Sequence, residues 1–225
     1  MPKMPQKHHK TSCKNPLSRL KPSRTMAEEP VVICICGMAG SGKSTLAKRL
    51  AEKYGFKYYS GGDGLKALAI EEGYKPLKRG WWESKEGMRF LEKRSKDPKF
   101  DKIVDNKLLK LAQRGNVILD SRTMPWLLKK GFKIWLEAFP EKRAERIARR
   151  DSISIREALK ALKNKEEKTK TIYQKLYGFN LGEDFNPFHL TLDTNNLNED
   201  EVFHILCTVI DNIILKCPKK KMSAH

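Results

Sequence analysis

Eight consecutive residues carry the sharpest chemical signal in the chain. Gly37-Met38-Ala39-Gly40-Ser41-Gly42-Lys43-Ser44, followed by Thr45, fits G-x-x-x-x-G-K-[ST]. Glycines at these spacings let successive backbone N–H groups turn inward onto phosphate oxygens. A helix opening at the end of the loop adds its partial positive charge. In that arrangement Lys43 reaches the outer phosphates and the Ser44 hydroxyl is a ligand for Mg²⁺. The pattern predicts binding of a nucleoside triphosphate and leaves the reaction open. A second acid, Asp120, ends an apolar run at 116–120. A carboxylate there can hold Mg²⁺ through water. The alternative is a strand-end Asp that caps a helix over 123–129.

These groups need a frame, and the apolar pattern supplies one. Residues 31–36 form an unbroken apolar β-run, as expected of a strand buried on both faces. Further strands are predicted at 57–59, 116–120, 133–137 and 190–193. Helical spacing appears at 44–54, 63–72, 83–96, 101–113, 140–150, 155–177 and 199–215. Pro140 sits in a first helical turn, where a missing N–H costs least. Strands separated by helices indicate α/β architecture: a five-stranded parallel sheet with helices on both faces.

The chain has 225 residues and a formal net charge of +19. That length suits one α/β domain with small insertions. Its 39% hydrophobic and 32% charged residues exclude collagen-like and disulfide-scaffold classes. The apolar runs are too short to span a bilayer, so no membrane association is expected. Five cysteines without metal-ligand spacing read as free thiols, pointing to a reducing, cytoplasmic setting. The charge is uneven. Residues 142–177 hold twelve Lys/Arg against five Asp/Glu, which suits a clamp on a polyanion. Residues 1–29 read as a disordered, Pro-broken basic tail in which Met26 is the expected initiator. Residues 216–225 read as a second basic tail. Such tails also suit nucleic acid.

Beyond the phosphate loop, several segments resemble the nucleoside-monophosphate kinases. These are Ser60-Gly61-Gly62-Asp63-Gly64-Leu65-Lys66 after the second strand, Asp120-Ser121-Arg122 after the third, and a basic helix with Arg143, Arg146, Arg149 and Arg150 after the fourth. Asp97-Pro98-Lys99-Phe100-Asp101, Lys133-Ile134-Trp135-Leu136 and Tyr173-x-x-x-Tyr177-Gly178 are similar to the archaeal-type cytidylate kinases. The likeness covers residues 31–215. It implies a P-loop, adenylate-kinase-like fold over 30–215, with an acceptor-binding insertion near 60–114 and a lid near 142–177. It implies transfer of the ATP γ-phosphoryl group to CMP or dCMP by a monomer. Lys43 and residues 37–45 would hold ATP, and Ser44 and Asp120 would hold Mg²⁺. Ser60, Gly62, Asp63, Lys66 and Arg122 would bind the acceptor. Arg146, Arg150 and Lys165 would close from the lid, with Arg146 and Arg150, one turn apart, reaching one ligand. The chain departs from the resemblance at Lys66 and Lys165, where arginine is usual, and at Ser121 in place of glycine. Lysine keeps the charge and loses the planar fork.

Other readings stay open on the sequence. The acceptor could be another nucleoside monophosphate or small molecule. A different class, an ATP-dependent RNA- or ribosome-assembly factor, would use the basic segments instead. Asp101 and Asp105 are candidates for reading a base, or solvated acids of a helix surface. Trp81-Trp82 is either a stacking platform or a packing element. Arg149 reads as part of a solvated face.

Overall fold

The computed structural model describes residues 30–77 and 80–215. The readings made for both basic tails lie outside the described residues. The central strand is β1 (Val32–Gly37), paired in parallel with β3 (Val117–Asp120) on one side and β4 (Phe132–Glu137) on the other. β2 (Lys57–Ser60) and β5 (Leu190–Asp193) close the two edges, giving the order β2-β3-β1-β4-β5. All four pairings are parallel. Alternation along β1 feeds two cores. Ile33 and Ile35 join Leu46, Leu50, Leu206 and Ile210 on one face. Cys34 and Cys36 point to the other face, Cys34 among Phe90, Phe100 and Leu119, Cys36 among Leu91 and Trp135.

α1 (Lys43–Tyr54) and α8 (Glu199–Val209) cover the first face. α2 (Gly61–Glu71), α3 (Lys85–Lys96), α4 (Lys99–Ala112) and the short α5 (Met124–Leu127) cover the second. α6 (Pro140–Asp151) and the long α7 (Ile155–Tyr177) pack on each other through Ala144, Ile147, Ala158 and Leu162. α7 opens with a capping box in which Ser154 and Glu157 satisfy each other's backbone N–H. Among the described residues no helix is long and apolar enough to cross a membrane.

The differences from the sequence expectation are local and have identifiable causes. The helix expected from 83 begins at Lys85, because Ser84 caps it by accepting from the Gly87 N–H; Trp81–Glu83 becomes a separate 3₁₀ turn. α4 begins two residues earlier than expected, with Asp97 accepting from the Lys99 N–H. Asp120 caps nothing. The Ser121 hydroxyl accepts from the N–H groups of Thr123 and Met124, and the helix there is one turn long. The last helix loosens into a π-turn over Ile210–Ile214.

Candidate active site

The order of strands reverses at β1, whose neighbours β3 and β4 lie on opposite sides, and a crevice opens at such strand ends. The phosphate loop sits there, between the end of β1 and the start of α1. Gly40 shows why the sequence must be glycine-rich. Its φ is +80°, and a Cβ on it would lie 2.7 Å from the Arg143 carbonyl. Arg143 is buried and structural. It donates to the carbonyls of Ala39 and Ala138 and to Glu166 on α7, tying the loop to α6 and α7. Met38 sends its side chain into the core and offers its carbonyl to Lys43.

One cleft gathers most of the expected groups: Ala39, Gly40, Lys43 and Ser44 from the loop, Ser60 and Gly62 from the end of β2 and the start of α2, Asp120 and Arg122 from the end of β3, and Arg150 and Lys165 from α6 and α7. Ser44 Oγ donates to Asp120 Oδ2 at 2.5 Å. Tyr58 from β2 donates to the same oxygen at 3.3 Å. A hydroxyl and a carboxylate converging beside a phosphate loop are hard oxygen donors that fit Mg²⁺. Arg122 has no side-chain partner among the described residues and lines the cleft.

Four cations, Lys43, Arg122, Arg150 and Lys165, line this cleft. Burial, with Arg122 adding repulsion, pushes Lys43 down to about 8, although Asp120 pulls the other way. Burial pushes Lys165 down to about 8 as well, with Glu83 opposing it and Arg122 and Arg150 adding to it. The cleft therefore holds mutual repulsion that a polyanion relieves. Both lysines are charged below about pH 8 and lose charge above it.

Some expected residues lie elsewhere. Lys66 Nζ donates to the Leu77 carbonyl at 2.7 Å and does not line the cleft. Its neighbour Leu65 faces inward, so the helical step of 100° carries Lys66 away. Asp63 is exposed, and its backbone N–H is held by the Ser60 cap. Arg146 donates to the Thr194 carbonyl at 2.8 Å and hydroxyl at 3.2 Å. It lines a second cleft with Gly42, Thr45, Arg149 and Asn198, on the far side of the phosphate loop. Arg150 lies between the two clefts and borders both. Arg149 is exposed as expected, yet it borders the second cleft.

The floor of the first cleft is a buried polar cluster. Arg94 Nη2 and Nε grip Asp101 at 2.6 and 3.1 Å, and both side chains are at most 3% exposed. Asp105 accepts from Thr123 Oγ1 and from the Tyr177 hydroxyl, each at 2.6 Å. Burial pushes the Asp105 carboxyl up to about 6, against those two hydrogen bonds. The helix-surface reading of the two acids is thus overturned. Sequence reasoning missed Arg94, although its signal was present: Gly87, Phe90, Leu91 and Arg94 form one buried helical stripe. The tryptophans divide. Trp81 is buried against Phe90 and donates to the Lys75 carbonyl, while Trp82 borders the cleft.

A phosphate loop at a parallel-sheet crevice, an acid on the adjacent strand and cations from α6 and α7 beside a second polar pocket define a P-loop phosphotransferase. Residues 32–196 match the cytidylate kinase-like family. Cytidylate kinase of Pyrococcus horikoshii is 32% identical over 84% of this chain and 92% of its own length. That of Aeropyrum pernix is 35% identical over 76% and 94%. The chain belongs to the cytidylate kinase-like family. Shikimate kinase from Acinetobacter baumannii shares the fold at a TM-score of 0.50 and 18% identity, covering 83% of this chain and 97% of that one.

Proposed function

We propose that the chain transfers the γ-phosphoryl group of Mg·ATP to the phosphate of CMP or dCMP. The carrying observation is the buried Arg94–Asp101–Asp105 floor opposite the phosphate loop. A cytosine ring presents an amino donor where uracil presents a carbonyl. The Asp105 carboxylate accepts from the former and repels the latter. Arg94 has Nη1 left over from its Asp101 pair to donate to the ring carbonyl edge. Trp82 offers a face for stacking.

In this reading Lys43 and the loop amides take the donor phosphates, and Arg122 takes the acceptor phosphate. Arg150 and Lys165 neutralise charge spreading over the transferred group. Ser44 and Asp120 hold Mg²⁺, which when bound neutralises charge on the donor phosphates. The second cleft, with Arg146, accommodates the nucleoside end of ATP. Lys66 is left outside the acceptor set.

A coupled ADP-release assay with CMP, dCMP, UMP, AMP and GMP separately, and a no-acceptor control, tests the proposal. Selective turnover of CMP and dCMP is expected. Turnover of another acceptor moves the assignment, and equal ADP release in every tube makes the protein an ATPase. Asp105→Asn is expected to lower the preference for CMP over UMP by ~10–100-fold, about the worth of one base-edge contact. The same variant changes stability with a definite sign. The folded-state pKa of Asp105 is raised, so its contribution to stability is present at low pH and lost as pH rises through about 6. Melting of Asp105→Asn should therefore exceed wild type at pH 7.5, with a gap that narrows below pH 6.

A further inference from the structure

The Gly80-Trp81-Trp82-Glu83 turn lines the cleft with Trp82 and Glu83, and of the two only Trp82 has been given a part in the chemistry so far. Glu83 is 8% exposed and carries two ion pairs. Its Oε1 accepts from Lys165 Nζ at 3.0 Å, and its Oε2 accepts from Arg150 Nη2 at 3.2 Å. One carboxylate from the acceptor side thus holds two lid cations, from α7 and from α6. Those cations are not used up. Lys165 keeps two further N–H donors. Arg150 spends Nε and Nη2 on Asp151 and Glu83 and keeps Nη1.

The turn that carries Glu83 is firmly set. Ser84 Oγ donates to the Trp81 carbonyl and accepts from the Gly87 N–H, closing the turn onto α3. Gly87 permits the contact, since a Cβ there would lie 2.1 Å from the Trp81 carbonyl oxygen. Trp81 is buried in the acceptor-side core, and the Trp82 ring lies 5.3 Å from Lys165 Nζ. A buried carboxylate held this rigidly fixes the direction of the cations it grips.

We propose that Glu83 is a positioning residue for phosphoryl transfer: it aims Lys165 and Arg150 at the transferred group and couples the acceptor side to the lid. This rests on the phosphotransfer reading of the same cleft. Glu83 touches no reacting atom and acts through its two partners. Its charge also keeps Lys165 protonated. Lys165 meets Glu83 from the 3₁₀ turn, Arg150 from α6, Arg122 after β3 and Lys43 from α1, and of these Glu83 alone carries the opposite charge.

The test uses Glu83→Gln, which keeps shape and removes charge. Turnover is expected to fall on the order of 10–100-fold, as for a misaimed catalytic group. The alkaline limb of the kcat profile should move to lower pH, because Lys165 loses the neighbour that favours its charged form. In a Lys165→Arg background the limb should stay where it is, since a guanidinium remains charged throughout. Wild-type kcat with an unmoved limb would overturn the proposal. So would an equal loss of activity with no limb shift in the lysine background, which marks a structural role only. Melting curves check that each variant folds. Should Glu83→Gln fail to fold, Glu83→Asp keeps the charge and withdraws the carboxylate by one methylene; a lowered kcat with an unmoved limb is then expected, and wild-type kcat would count against the idea. Mg·ATP affinity at pH 7 and pH 9 without acceptor, read by tryptophan fluorescence, separates the two proposals. Binding that depends on Glu83 and pH without CMP turnover would leave Glu83 standing and retire the acceptor assignment.

Discussion

Lys43→Ala is expected to lower kcat on the order of 10²–10³-fold or more, the usual loss for a preorganised donor aimed at developing charge. Lys43 Nζ donates to the Met38 carbonyl at 2.7 Å and lines the cleft. It is 8% exposed and faces Arg122, so its charge is costly until phosphate arrives. That cost decides the second half of the expectation. Burial and the repulsion from Arg122 outweigh the pull of Asp120, so removing this desolvated cation is not expected to weaken the fold. The variant should melt close to wild type while turnover collapses. Single-turnover kinetics beside a melting curve measure both. Near-wild-type turnover would remove Lys43 from the donor site, and a large drop in melting temperature would mean that the loop depends on it for structure.

Arg94→Met should have the reverse profile, a large loss of stability. It strands the Asp101 carboxylate, 2% exposed, without its bidentate partner. Breaking a buried pair from one side costs about 3–5 kcal/mol, because the remaining charge is uncompensated. In a domain of this size that lowers the melting temperature by roughly 10 °C or more. Replacing both partners, as Arg94→Met with Asp101→Leu, removes the stranded charge and should recover most of the loss. The double variant then isolates function: a stable fold that has lost its grip on the acceptor. A double variant as unstable as the single one would show that packing, not charge, sets the cost.

What could be read from the sequence divides along the range of the interactions involved. β1 and the loop after it were legible because an apolar run, three glycines and Lys43-Ser44 are contiguous. All five strands were placed within a residue or so; β1, β3 and β4 were legible as the short apolar runs of strands buried on both faces, and the edge strands β2 and β5, only partly buried, as short runs between helical segments. Ser44 and Asp120 were read from the sequence as ligands of one Mg²⁺; their direct hydrogen bond, between residues 76 positions apart, was not. Lys66 was misplaced because charge at a motif position says nothing about helical phase, and Leu65 already held the inward face. Arg146 was placed in the lid, but the loop after β5 decides where it points, and nothing near Arg146 announces Thr194. Glu83 was taken as the first residue of a helix. Its role depends on Ser84 and Gly87 closing a turn and on two cations from α6 and α7.

The place of β1 at the centre of the sheet bears on how the chain is made. Val32 pairs with Val117, and Gly37 pairs with Leu136. Among the described residues β1 is the first strand made, and its partners are synthesised 85 residues later for β3 (Val32 to Val117) and 99 residues later for β4 (Gly37 to Leu136). At roughly 5–20 residues per second, a ribosome needs on the order of 4–17 s to deliver the first of them. Throughout that interval Val32-Ile33-Cys34-Ile35-Cys36, a β-prone apolar segment without charge, stands unpaired on the nascent chain. The strand on which the phosphate loop is built is therefore also the segment whose protection during translation governs the yield of native protein.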